Sequence, residues 1–219
     1  TSLTIIVNLL GFINCLKSRA DVYRVFLEFQ VHVKWLLNHK IICMQMDWGG
    51  EYERLNSFFC QLGIEHHVSC PHIHQQNSSA ERKHRHVVDV GLTLLAHASM
   101  PLRFWDEAFL TACFLINRLP TRTINNTTPL EWLFGKTPDY NFLRTFGSAC
   151  SPCLRPYNER KLQFHSKRCV FLGYSMMHKG YRCLHVSSGR VYVSRDVIFD
   201  ENTFPFSNEG VSSLDMCLV

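Results

Sequence analysis

Two acidic residues stand out for where they fall. Asp47 follows the apolar run Ile41-Ile-Cys-Met and opens Asp47-Trp-Gly-Gly-Glu-Tyr52; Glu81 lies in Gln75-Gln-Asn-Ser-Ser-Ala-Glu81-Arg-Lys-His-Arg-His86. A carboxylate at the carboxyl end of a strand sits where open α/β sheets place their sites, and the two glycines let the chain turn sharply beside it. Carboxylates brought together from distant positions hold Mg²⁺ through oxygen, and paired cations activate water or a 3′-hydroxyl against a phosphodiester. Taken alone, the two residues have a more ordinary reading: a turn aspartate, and a glutamate favoured by the dipole of a helix N-terminus. Lys83 and Arg85, with His84 and His86, share the segment of Glu81; they could contact phosphate or form a solvated helix face. Two further groupings have metal-ligand residue types. Cys150-Ser-Pro-Cys153 with His165 and Cys169 has zinc-like spacing, and His66, His67, Cys70, His72 and His74 crowd one polar stretch.

The elements that position these residues follow from periodicity. Residues 3–10 form an apolar, β-branched run that predicts a buried strand. Between Ser18 and His39, Val22, Val25, Phe26, Phe29, Val33 and Leu36 recur at helical spacing. A strand over Lys40 to Met46, a short helix over Leu55 to Leu62 and a strand over Ile64 to Val68 come next. Residues 69–77 are polar and aperiodic and read as a loop. Ser78 or Ser79 caps a helix carrying Val87, Val88, Leu92 and Leu95, and a second helix runs from Leu102 to Arg118, closed by Pro120. The alternation predicts an α/β domain over 1–120. Residues 121–145 read as a linker with one helical turn around Leu130 to Phe134. The short β runs of 146–206, joined by His178-Lys-Gly and Ser187-Ser-Gly, predict a small five-stranded barrel or meander, followed by a tail over 207–219.

Composition narrows the function classes. With 46% apolar and 19% charged residues the chain has an ordinary globular balance, so disorder is not the default. The formal charge of +5, with 12 histidines, permits nucleic-acid binding without showing it. Ten cysteines lie scattered, several inside apolar runs, as expected of buried free thiols in a reducing compartment. The longest apolar stretch, Thr4 to Leu16, is broken by Asn8 and Asn14 and falls short of the roughly 18 residues of a membrane span. It also lacks the basic start of a signal peptide, so the expected location is nuclear or cytoplasmic, with neither secretion nor membrane.

The wording around the acids is more specific than the acids themselves. Met46-Asp-Trp-Gly-Gly-Glu-Tyr, Gly63-Ile-Glu-His, Ser69-Cys-Pro, Gln75-Gln-Asn and Ala80-Glu-Arg-Lys-His-Arg-His resemble, in order, the integrase region of copia-type retrotransposon Gag-Pol polyproteins. So do Phe104-Trp-Asp-Glu-Ala, Ala112-Cys-Phe-Leu-Ile-Asn-Arg-Leu-Pro-Thr121, Leu143-Arg-Thr-Phe-Gly, Leu154-Arg-Pro-Tyr, Cys169-Val-Phe-Leu-Gly-Tyr-Ser, His178-Lys-Gly-Tyr and Ser194-Arg-Asp-Val-Ile-Phe-Asp-Glu. The resemblance implies an RNase H-like catalytic core over 1–120 and an SH3-like β domain over 146–206. It implies an Asp, Asp, Glu triad holding two Mg²⁺ or Mn²⁺ for transesterification, with element ends and target DNA as partners; a homo-oligomer stays open. Asp47 corresponds to the second acid and Glu81 to the third, 34 positions apart (81 − 47), in keeping with the family. It makes Cys150 and Cys169 strand residues rather than zinc ligands.

The first acid is missing. Lys17-Ser-Arg-Ala-Asp-Val22 matches a family stretch that lies shortly after it, and counting back puts it at Ile5 or Ile6; no Asp or Glu precedes Asp21. The reading is therefore a truncated, degenerate integrase segment, catalytically impaired, whose alternative is a domesticated or relic DNA-binding module without enzyme activity.

Overall fold

The computed structural model describes residues 2–7, 10–15, 21–46, 53–68, 78–157, 164–175 and 177–207. The chain forms two compact units, Thr1–His86 and Val87–Val219.

In the first unit, β1 (Ser2–Val7) pairs antiparallel with β2 (Leu10–Cys15), with Ile5 opposite Phe12 and Ile6 opposite Gly11. The sequence predicts one strand where this hairpin lies; Gly11 and Asn14 interrupt the apolar pattern of its second arm. Helix α1 (Val22–Leu37) buries Val22, Val25, Phe26, Phe29 and Val33 and ends at Asn38 in the left-handed conformation (φ 53°). Those spacings of three and four make one apolar stripe. The stripe packs on Phe59 of α2 (Glu53–Leu62) and on Ile64, with Ile41 and Met44 against the same cluster. Phe26 and Phe59 meet edge to face, centroids 5.1 Å apart, an arrangement that matches ring edge to ring face electrostatically. Around α2, β3 (Cys43–Met46) and β4 (Glu65–Val68) pair in parallel, Cys43 opposite Glu65 and Gln45 opposite His67. Parallel neighbours require such a crossover, because a tight turn reverses direction.

The second unit contains most of α3 (Ser78–His97), then α4 (Trp105–Ile116), α5 (Pro129–Phe134) and a five-stranded antiparallel sheet. The strands are β5 (Ala149–Pro152), β6 (Cys169–Tyr174), β7 (Tyr181–His185), β8 (Arg190–Ser194) and β9 (Val197–Asp200), in the order β8-β7-β6-β5-β9. Central β6 is buried along its whole length. One aromatic cluster fills the sheet's core: Phe171, Tyr174, Tyr181 and Phe199 with Phe142, which stacks on Tyr181 at 4.5 Å. Tyr174 lies flat on Phe114 of α4 at 4.0 Å, and its hydroxyl accepts the Arg144 N–H at 2.9 Å.

Helix α4, assigned by sequence to the first domain, packs against β6: the Thr111 hydroxyl donates to the Leu172 carbonyl at 3.3 Å, and Gly173 lies against the Thr111 side chain. The apolar face of α4 suits a sheet surface as well as a core helix, and periodicity cannot tell the two apart. Residues 121–145 are likewise built into the unit. Thr128 caps α5 by accepting from the Glu131 N–H at 3.0 Å, Pro129 opens the helix, and Gly135 (φ 63°) closes it. Ile124, Thr128 and Pro129 are buried.

One ion pair ties α4 to β7. Arg182 Nη2 donates to Glu107 Oε1 at 2.6 Å, with side-chain exposures of 29% and 13%. Burial raises the Glu107 pKa from 4.5, outweighing the attraction of Arg182. A folded pKa above the unfolded one gives stability fully present below pH 4.5 and lost as pH rises through the folded value. Glu107→Gln removes this loss. Urea unfolding at about pH 4 and about pH 7 is expected to show the variant gaining stability relative to the wild type as pH rises.

Candidate nucleic-acid and carboxylate site

Glu81 sits in the first turn of α3, exposed, where the uncompensated N–H groups favour a carboxylate. Arg85 follows one turn later and is exposed; Lys83 and His84 are half-buried and His86 is exposed. Residues 81 and 85 share a helix face, so one carboxylate and one cation are presented side by side. Strand β3 ends at Met46, one residue before Asp47; Asp47 itself lies outside the described residues, as do residues 69–77 with Cys70, His72 and His74. Ile5 and Ile6 are placed in β1 of the hairpin.

Of the histidine group, His66 and His67 are described, both in β4. The half-buried His66 ring lies 5.4 Å from Phe59, and its Nε2 has no hydrogen-bond partner among the described residues; His67 is exposed beside Glu65. The zinc-like quartet does not converge. Cys150 and Cys169 are paired strand residues, Cys153 bridges to Ser166, and these side chains with His165 form no cluster of donor atoms. The Cys169 thiol is pushed up to about 12 by burial, and that of Cys150 is raised by its hydrogen bond with Cys183 and by burial. Both stay protonated at neutral pH, which suits core packing rather than ligation or nucleophilic attack. Among the described residues one group of metal-type donors does come together, Cys43, Glu65 and His67. Sequence spacing gives no sign of it, because a parallel strand register assembles it. No helix among the described residues is long and apolar enough to cross a membrane.

Residues 148–213 match the family model of the retroviral polymerase SH3-like domain. The chain is 48% identical over 193 residues to the retrovirus-related Pol polyprotein from transposon RE1 of Arabidopsis thaliana, covering 88% of this chain and 13% of the relative. It is 47% identical over 200 residues to that from transposon RE2 of the same plant, covering 90% of this chain and 14% of the relative. The chain thus spans about an eighth of the length of these curated relatives. Among solved structures, the catalytic core domain of BIV integrase is similar at 17% identity and a TM-score of 0.42, covering 57% of this chain and 78% of that one. The homologues of this chain are Pol polyproteins of copia-like retrotransposons, and its residues 148–213 match their SH3-like domain.

Proposed function

We propose that the chain is the integrase region of its polyprotein, binding DNA while impaired in strand transfer. What carries the reading is the match to Pol polyproteins over 88% of the chain; on this reading Asp47 and Glu81 take two of the three acid positions of an integrase. On this reading the first two turns of α3 meet DNA: Lys83 and Arg85 neutralise phosphates next to Glu81, and element ends and target DNA are the partners. Nuclear or cytoplasmic residence belongs to the same reading.

Mg²⁺ or Mn²⁺ would be the cofactor. A site for two such cations needs carboxylates from three places in the chain. Here Asp47 and Glu81 supply two, while Ile5 and Ile6 in β1 supply apolar side chains at the first. The residues present do not fit a cation pair, which is why strand transfer is impaired while DNA binding, which needs only the basic side chains, is retained.

Binding of duplex DNA across a salt series tests this. Each phosphate contact adds about 0.9 to the slope of log affinity against log salt. Lys83→Ala and Arg85→Ala are each expected to lower that slope by about 1 and to weaken binding equally for all sequences. Unchanged slopes in both variants would remove these residues from the interface.

A further inference from the structure

Among the described residues, the structure gathers one set of metal-type donors, within the first unit. Cys43 on β3 and Glu65 and His67 on β4 place one ligand atom each within 4.8 Å of one another, and all three side chains are exposed. Glu65 Oε2 and His67 Nε2 are 3.5 Å apart. We propose that Cys43, Glu65 and His67 form a binding site for a borderline divalent transition metal, with Zn²⁺ the fitting ion.

The argument starts from the register. Cys43 is the strand partner of Glu65, and His67 is two residues beyond Glu65. Side chains two apart on a strand share a face, so the three donors stand on one side of the β3–β4 pair. The intervening residues, Met44 and His66, pack on the other side against the α1–α2 cluster and Phe59. The packed face therefore fixes which face the donors occupy, and the pairing fixes their spacing.

The chemistry then selects the ion. Sulfur, imidazole nitrogen and carboxylate oxygen are the zinc ligand types, at about 2.0–2.3 Å from the metal; tetrahedral geometry then separates ligand atoms by about 3.3–3.8 Å. The Glu65–His67 separation already falls in that range, and the Cys43 thiol lies within 4.8 Å of both. Three protein ligands leave the fourth position for water. A thiolate and an imidazole disfavour Mg²⁺, which takes oxygen ligands, so this site is distinct from the Asp47 and Glu81 pair in the cation it takes. Binding would join two strands that otherwise form a pair of only four residues each.

Co²⁺ serves as the probe because its bond to sulfur gives a near-ultraviolet charge-transfer band that Mg²⁺ and Zn²⁺ lack. Titrating the full chain with Co²⁺ is expected to produce that band, and Zn²⁺ but not Mg²⁺ is expected to displace it. Cys43→Ser should abolish the band, whereas Cys153→Ser should leave it intact. His67→Gln should weaken Co²⁺ binding by more than about tenfold, since even groups that only support a ligand contribute about 10–100-fold. Because the three side chains are exposed, the variants are expected to fold, and Cys43→Ser and His67→Gln test the site independently. A wild-type chain without the band, a band that survives Cys43→Ser, or Co²⁺ affinity unchanged by His67→Gln would each overturn the proposal.

Discussion

Gly173→Ala is expected to destabilise the second unit by about 3–5 kcal/mol, lowering its melting midpoint by roughly 10–20 °C. Two effects combine. Gly173 has φ +119°, a backbone conformation that L side chains rarely adopt, at a register shift between β6 and β7. A Cβ there would also collide with the Thr111 hydroxyl. Thr111 has little freedom to retreat, because it is 2% exposed and its hydroxyl is engaged by the Leu172 carbonyl. Gly189→Ala separates the two effects: it has φ +64° with nothing within 4 Å of the added carbon, so it should cost only about 1–2 kcal/mol. Adding Thr111→Ala to Gly173→Ala relieves the collision but not the backbone strain, and should recover part of the loss. The measurement is chemical unfolding of the four chains. Equal losses for Gly173→Ala and Gly189→Ala would show that α4 does not pack tightly on β6.

Strand transfer gives the second large effect. With Mn²⁺ and an oligonucleotide carrying a terminal repeat end, the unaltered chain is expected to join no DNA. Restoring an acid by Ile5→Asp or Ile6→Asp should raise joining by more than about 100-fold, since a direct metal ligand contributes at least as much as the groups that orient one. The two positions are adjacent on β1, and adjacent strand positions fall on opposite faces, so only one of the two variants should gain activity. Glu81→Gln added to that variant should return it to background. Joining by the unaltered chain, abolished by Glu81→Gln, would overturn the proposed impairment. Silence from both aspartate variants would mean that more than one carboxylate has been lost.

The kinship of the chain was legible because its motifs occur in a continuous, ordered text. The motifs from Met46 to His86 and the barrel phrases through Glu201 identify the polyprotein family without any coordinates. The local signals were legible too: the stripe of α1 from Val22 to Val33, and the Thr128-Pro-Leu-Glu131 start of α5, depend on neighbours within one or two turns. What sequence left open depends on pairings between distant residues. The hairpin arm Leu10–Cys15 carries Gly11 and Asn14, which weaken the strand pattern, and its register with β1 supplies the order. Helix α4 has an apolar face that would satisfy either domain; Gly173 beside Thr111 and the bond between Glu107 and Arg182 decide for the sheet. Cys43 stands 22 positions (65 − 43) from Glu65 and joins it only because β3 and β4 are parallel. The amino-acid order by itself carried the likeness to the Pol polyproteins and the elements with strong local patterns. Tertiary structure decided which faces those elements bury and which donors meet, because strand register and interhelical packing are set by contacts between residues far apart in the chain.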